Sequence, residues 1–287
     1  MNNILTSVPT DLQEARAFYQ HHGWYVADVF SAEDMDELEY QIERFYAGEH
    51  DRVLDVLLSR DWTPDKGNVM RQNDYLSLRM EGVRETLIGS SIGRLAAALA
   101  GTDSIRLFHD QLIHKPPLLP STAVGWHTDK AYWATCSSDD LITAWIPLHD
   151  CDQEIGPLVV VEGSHRWPDI SDDRSFHSQD MARLNPAIRE RFEAARKVTM
   201  TLRRGQVSFH HCQALHGSHP NRSRRARTSL SVHLQDAANT YRRAPTLAGT
   251  DTVHQNDMLC CRDAQGLPDY ADPDVFPVLW TSGAGLR

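Results

Sequence analysis

Apolar residues recur at helical spacing up to Ala100 and gather into short runs beyond Gly101. Leu12, Ala15, Phe18 and Tyr19 fall three and four apart, with Thr10 or Asp11 placed to cap the first turn and Gly23 to end it. That spacing predicts a helix over 11–23. The stretch from Trp24 to Phe30 is rich in β-forming residues. It runs into Ser31-Ala32-Glu33-Asp34, a capping pattern ahead of Met35, Leu38, Ile42 and Phe45, so a short strand and a second helix are expected. Residues 59–77 carry Pro64, Gly67, Asn68 and Asn73 with little periodicity, which predicts an irregular excursion. A further helix is expected over 83–100, closed by Gly101.

The runs at 105–108, 111–114, 141–148, 158–161, 198–202, 206–209 and 228–234 are strand-sized, and Pro116-Pro117, Gly156-Pro157 and Arg204-Gly205 punctuate several of them. Many short strands predict a sandwich or barrel. A helical insertion is expected over 178–196. No repeat, low-complexity tract or linker interrupts the pattern. The reading is therefore a single domain over 1–287, mainly β with flanking helices. Its N-terminal helices run over about 10–100, a double-sheet jelly-roll core over about 101–240, and a C-terminal extension follows.

Composition narrows the function classes. A formal net charge of −10 argues against a surface that tracks nucleic acid phosphates. The five cysteines form no CxxC pair, and adjacent Cys260 and Cys261 cannot form an ordinary bridge, so reduced thiols and a cytoplasmic setting are expected. No apolar run approaches the ~18 residues of a membrane helix. A small-molecule substrate fits better than a nucleic acid or a membrane partner, and the oligomeric state is left open.

Candidate chemistry centres on Trp126-His127-Thr128-Asp129. A His and an Asp two apart point to one face of a strand. A second imidazole would complete the two-His-one-carboxylate set that holds ferrous iron with positions open. His216, in Leu215-His216-Gly217-Ser218, is preferred as that third ligand because Arg227 follows it; His210, His211, His219 and His233 compete by spacing alone. Arg227 opens a run of period-two polarity, and its planar guanidinium suits the distal carboxylate of an organic acid that chelates the iron at its other end. Arg222, Arg224 and Arg225 read as a solvated basic surface.

The sequence resembles the phytanoyl-CoA dioxygenase family of Fe(II)/2-oxoglutarate-dependent oxygenases. The likeness starts at Phe18-Tyr19-Gln20-His21-His22-Gly23-Trp24 and Phe30-Ser31-Ala32-Glu33. It continues through Asp110-Gln111-Leu112-Ile113-His114-Lys115-Pro116-Pro117, the Trp126–Asp129 motif, the run from Gly156 to Trp167, and the stretch from Leu215 to Ser223 with Arg227.

That resemblance implies a double-stranded β-helix, cupin-like core and a dioxygenase that uses Fe(II), 2-oxoglutarate and O2. His127, Asp129 and His216 become the catalytic iron ligands. Arg227 becomes the carboxylate clamp, with Ser218, Trp145 and Gln111 lining the same pocket. Family-like halogenases replace the carboxylate ligand with a small residue, whereas Asp129 is present here, which favours hydroxylation or a related oxidation of a C–H bond in specialised-metabolite biosynthesis. Gly163-Ser164-His165 reads as a structural turn. Substrate contacts are expected from 68–78, from 130–134 and from the insertion after Trp167, with Trp62, Tyr75, Tyr132 and Trp133 as aromatic candidates. Two other functions remain: a silent jelly-roll protein that binds a metal or small acid, and a nucleic-acid oxygenase that uses the basic strip.

Overall fold

The computed structural model describes residues 11–283 except 57, 59, 60, 169, 171–175, 179, 247 and 248. Leu12–His22 forms α1. The Asp11 carboxylate accepts from the backbone N–H of Gln13 and Glu14 at 2.9 and 3.1 Å, and Gly23 at φ 79° ends the helix. Trp24–Asp28 (β1) follows, then Ala32–Tyr46 (α2), where Ser31 and Asp34 satisfy each other's backbone N–H groups in the expected capping box.

The stretch expected to be irregular holds a strand. Arg71–Asp74 (β2) pairs antiparallel with the chain at 111–114 and leads into the one-turn helix Leu76–Arg79 (α3). All four residues of β2 are polar, so no alternation marks them; a partner strand's edge specifies the pairing. The Asp110 carboxylate then accepts from the backbone N–H groups of Leu76 and Ser77 and holds the start of α3.

The single helix expected over 83–100 is two, Glu81–Gly89 (α4) and Ile92–Ala100 (α5). They part at Ser90, whose extended backbone is fixed by its own hydroxyl. That hydroxyl donates to Leu87 O at 2.8 Å and accepts from Ile92 N at 3.3 Å, a local bond that competes with helix continuation.

Beyond Gly101, two predicted runs merge into one long strand, Ser104–Lys115 (β3). Val124–His127 (β4), Ile142–Pro147 (β5) and Leu158–Val161 (β6) follow. Of the helical insertion, only a 3-10 turn at Pro186–Ile188 and the short Arg189–Ala194 (α6) are regular, and residue 179 lies outside the described residues. Lys197–Thr199 (β7), Gln206–His211 (β8), His216–Ser218 (β9) and Arg227–Asp236 (β10) complete the core strands. Asn256–Leu259 (α7) and Val278–Thr281 (β11) close the chain.

Two antiparallel sheets form the jelly roll. The larger runs β1-β8-β5-β10-β3-β11, with β2 also paired to β3, and the smaller runs β4-β9-β6-β7. Strand alternation divides the larger sheet into two unlike faces. Leu230, Val232 and Leu234 on β10, Ala144 and Ile146 on β5, and Val207 and Phe209 on β8 pack under the helices with Ala15, Met35, Leu38 and Ile92. Their neighbours Thr143, His210, Arg227, Ser229, Ser231 and His233 line the space between the sheets. One face supplies hydrophobic adhesion and the other a buried polar interior.

Leu230 is fully buried in the middle of that adhesive face. Leu230→Ala is expected to cost about 2–5 kcal/mol through lost transfer energy and a residual cavity. Urea unfolding would show it as a lower midpoint at an unchanged slope.

Candidate active site

β4 and β9 are antiparallel partners in which His127 lies directly opposite His216, their ring centroids 4.1 Å apart. Both imidazoles are oriented by the same device. His127 Nδ1 donates to Gly125 O at 2.8 Å, and His216 Nδ1 donates to Ala214 O at 2.9 Å. A carbonyl can only accept, so each Nδ1 carries the proton and each Nε2 presents a lone pair.

Asp129 lies one step beyond the strand, at the head of the 3-10 turn Asp129–Tyr132. Thr128 is still extended at φ −113° and ψ 143°, so the alternation expected for His-x-Asp survives and the carboxylate joins the imidazoles. Asp129 Oδ1 is 3.8 Å from His127 Nε2 and 3.6 Å from His216 Nε2. One donor atom from each of the three residues lies within 4.8 Å of the others.

The second carboxylate oxygen is held from behind. Thr143 Oγ1 donates to Asp129 Oδ2 at 2.5 Å, which uses the only hydroxyl proton, so the same oxygen accepts from His233 Nδ1 at 2.8 Å. His210 Nε2 stands 3.4 Å from Oδ2. Of the four competing histidines, His210 and His233 thus lie behind the carboxylate, His211 faces Asp140 at 3.8 Å, and His219 is exposed.

Burial pushes His216 well below the ordinary imidazole value and lowers His127 despite Asp129 beside it. Burial also works to raise the Asp129 carboxyl, but the surrounding imidazoles, His216 first, hold it well below its ordinary value. Two neutral imidazoles and a carboxylate are the protonation states that a divalent cation takes up. The donor chemistry fits ferrous iron: borderline nitrogen and hard oxygen from three residues, with the rest of the sphere left to small molecules.

Arg227 begins β10 opposite Lys115 on β3, and both are buried. Arg227 Nη1 donates to Gly156 O at 3.2 Å, its guanidinium lies 5.6 Å from the Trp145 ring centroid, and its Nε has no protein acceptor. Burial lowers it to about 10, which leaves it charged at neutral pH. Lys115 Nζ donates to Ser218 Oγ at 2.6 Å and to His219 O at 2.8 Å. Among the described residues neither cation forms an ion pair with a carboxylate, an arrangement costly to bury unless an anion comes to it.

One cavity joins Arg227, Ser218, Trp145 and Gln111 to the His-Asp-His cluster, so all seven residues singled out from sequence converge. Gln111 also donates to Asp74 Oδ1 at 3.0 Å. The adjoining cavity is lined by Gln72, Asp74, Tyr132, Trp133, Phe176 and His177, among others. Of the aromatic residues expected to meet substrate, Tyr132 and Trp133 line this cavity. Trp62 lies elsewhere, with the Arg71 guanidinium 4.1 Å from its ring, and Lys130 is occupied with Asp139 and the Cys136 carbonyl. Residues 169, 171–175 and 179 of the insertion lie outside the described residues. Ser164 is structural, as expected: its hydroxyl donates to Val161 O and accepts from Leu215 N, which steadies the approach to β9.

Sequence reasoning missed Lys115, Thr143, Asp74 and His109. Lys115 had a signal, a basic residue directly before Pro116-Pro117 at the end of a strand; Asp74, in an all-polar segment, had none.

The jelly roll and this cluster define a class, the non-heme iron oxygenases that use a 2-oxo acid. Residues 19–229 match the Phytanoyl-CoA dioxygenase (PhyH) family, and the chain belongs to it. Peroxisomal phytanoyl-CoA dioxygenase of Bos taurus is 25% identical over 288 residues, 96% of this chain and 81% of that protein. A probable alpha-ketoglutarate-dependent hypophosphite dioxygenase of Stutzerimonas stutzeri is 29% identical over 134 residues, 45% of each.

Among solved structures, the epimerase SnoN in complex with Fe3+, alpha ketoglutarate and nogalamycin RO aligns with a TM-score of 0.69 at 26% identity, covering 93% of this chain and 98% of that one. The carbocyclase SnoK from nogalamycin biosynthesis shares the fold at a TM-score of 0.67 and 22% identity, over 96% and 97% of the two chains. The protein is an iron- and 2-oxoglutarate-dependent dioxygenase with O2 as the other cosubstrate. No helix of the described residues is long and apolar enough to cross a membrane.

Burial sets a pH dependence outside the cluster as well. His114, His165 and His254 are lowered to about 4, and His109 is pushed well below the ordinary value. Between about pH 6.5 and 4 the unfolded chain therefore binds more protons at these four sites, and stability falls with acidification. Asp74 and Asp110, raised to about 6, act in the opposite sense over much of the same window but are fewer. The metal-free protein is expected to lose unfolding free energy from pH 7 to pH 5, measured by urea midpoints at constant ionic strength.

Proposed function

We propose that the enzyme oxidises a C–H bond of a small organic molecule, by hydroxylation or a related outcome such as epimerisation or ring closure, in specialised-metabolite biosynthesis. His127, Asp129 and His216 hold the iron in this reading. The observation that carries it is the direct opposition of two Nδ1-tethered imidazoles with a carboxylate oxygen within 3.8 Å of both Nε2 atoms. The names of SnoN and SnoK, an epimerase and a carbocyclase of one biosynthesis, support the metabolic setting.

The iron, 2-oxoglutarate and O2 together supply the oxidising power. The chain's own residues position and enclose. Arg227 receives the distal carboxylate of 2-oxoglutarate through its unpartnered Nε and the guanidinium edge. Lys115 donates to Ser218 Oγ, which frees the serine proton to be donated into the same pocket, while Trp145 walls it and Gln111 joins it to the substrate side. Thr143 fixes the Asp129 carboxylate so that Oδ1 faces the imidazoles. The whole chain acts as one catalytic unit. The basic strip stays outside the site: Arg222, Arg224 and Arg225 are exposed, and Arg225 pairs with Asp152 at 2.6 Å.

His127→Ala and Asp129→Ala are expected to abolish iron-dependent succinate formation from 2-oxoglutarate while circular dichroism stays unchanged; wild-type turnover in both would overturn the ligand assignment. Arg227→Lys is expected to raise the KM for 2-oxoglutarate about ten-fold or more, since a point charge cannot reproduce the planar fork. Lys115→Met is expected to weaken 2-oxoglutarate binding, read by calorimetry with iron present, without lowering Tm, because it removes a buried charge of similar volume.

A further inference from the structure

Two cavities meet at His127, Asp129 and His233. One reaches Arg227, and the other, about 270 Å³, reaches Asp74, His109 and Trp133. This second cavity is unusual in what its polar groups lack. Asp74, on β2 opposite Gln111, is buried, and its Oδ1 accepts from Gln111 and Gln72 at 3.0 and 3.2 Å. Its Oδ2 has only a 3.5 Å approach from the Gln72 amide, at the limit of a hydrogen bond. His109 is 6% exposed and makes no hydrogen bond through either ring nitrogen; its Nε2 is 3.7 Å from Asp74 Oδ1. Buried groups left this way call for a ligand that satisfies them.

Charge decides which ligand. The two positive charges of ferrous iron are offset by Asp129 and the chelating carboxylate of 2-oxoglutarate, and the distal carboxylate is offset by Arg227, so the loaded centre brings no net positive charge to the adjoining cavity. Asp74 then leaves an uncompensated negative charge on that cavity's wall. Among the described residues no Lys or Arg lines this cavity. An anionic substrate head would meet repulsion with no compensating cation, whereas an ammonium brings donors and no lone pair to a carboxylate oxygen and a neutral imidazole nitrogen. Tyr132, Trp133 and Phe176 line the same cavity and suit an apolar or aromatic body.

We infer that the organic substrate carries a protonated amine, seated against Asp74 and His109, with its apolar body along Trp133 and Phe176. The inference rests on His127, Asp129 and His216 being the iron ligands, because that places this cavity beside the reacting centre. It separates the substrate from acyl-CoA thioesters and from phosphorus oxyanions alike.

The test uses the full chain loaded anaerobically with Fe(II) and 2-oxoglutarate, after calorimetry has established that both bind. Benzylamine, benzyl alcohol and benzoate are then titrated as probes of matched size. The amine is expected to bind about ten-fold tighter than the alcohol, the scale of a hydrogen bond to a charged group, and benzoate weakest. Asp74→Asn should remove the preference for the amine and leave alcohol binding within about two-fold. Val253→Lys, at the exposed rim of the cavity, does not disturb the core and should weaken the amine alone several-fold. Equal affinity for amine and alcohol, tighter binding of benzoate, or insensitivity of amine binding to both variants overturns the inference. If iron and 2-oxoglutarate bind and the amine shows no preference, the substrate assignment alone fails. If iron binds with the same affinity after His127→Ala and Asp129→Ala, the ligand assignment and this inference fail together.

Discussion

The structure depends on the pairing of two short strands, β4 and β9, that sets His127 against His216. Backbone hydrogen bonding fixes the register, and a slip by one residue would send one imidazole to the opposite face of the sheet. Within that register each ring is tethered to the carbonyl two residues behind it. Placement and tautomer are thus both settled by the main chain. Side chains enter only for the third donor, where Thr143 and His233 hold Asp129 from the neighbouring sheet. Gly217 makes the close approach tolerable: a Cβ there would lie 2.9 Å from Val124 O and 3.2 Å from Gly125 O, the carbonyl that orients His127.

Around this pair the interior is buried and polar, a combination that proteins maintain only where each group has a partner or a purpose. Strand alternation makes it affordable by giving the larger sheet a hydrophobic outer face under the N-terminal helices α1 to α5 and a hydrophilic inner face. The outward face supplies the folding energy that the inward face consumes. Arg227 and Lys115 are the extreme instance, two cations side by side with neutral acceptors only. Burial, with Arg227 beside it, holds the Lys115 amine well below its ordinary value, the cost of keeping two basic groups together without a carboxylate partner.

How much of this was readable beforehand follows from where the information sits. The α1 and α2 caps were legible because a single residue type at a fixed position does the work: Asp11, Gly23 and the Ser31–Asp34 box. The convergence of His127, Asp129, His216 and Arg227 was legible because both imidazoles and the carboxylate lie in compact motifs. The break at Ser90 was hidden because apolar residues recur at helical spacing in both halves, Val83 and Leu87 before it and Ile92, Leu95, Ala96 and Leu99 after it. β2 was invisible for a deeper reason: Arg-Gln-Asn-Asp carries no periodic signal, and only the edge of β3 makes it a strand. Asp74 and the second cavity vanished with it. Thr143 and His109 escaped because their importance arises from neighbours distant in sequence.

β3 has a further meaning in this light. Its twelve residues bond to β10 along one side, while the other side is shared by β2 at one end and β11 at the other. His127, His216 and Arg227 sit on β4, β9 and β10, whereas much of the adjoining cavity's wall, Asp74 on β2 and Phe176, Val253 and His254 on connecting segments, is appended to those strands. Such a scaffold permits modular divergence. Replacing the appended pieces would reshape that cavity while the strands bearing His127, His216 and Arg227 pass through the change intact.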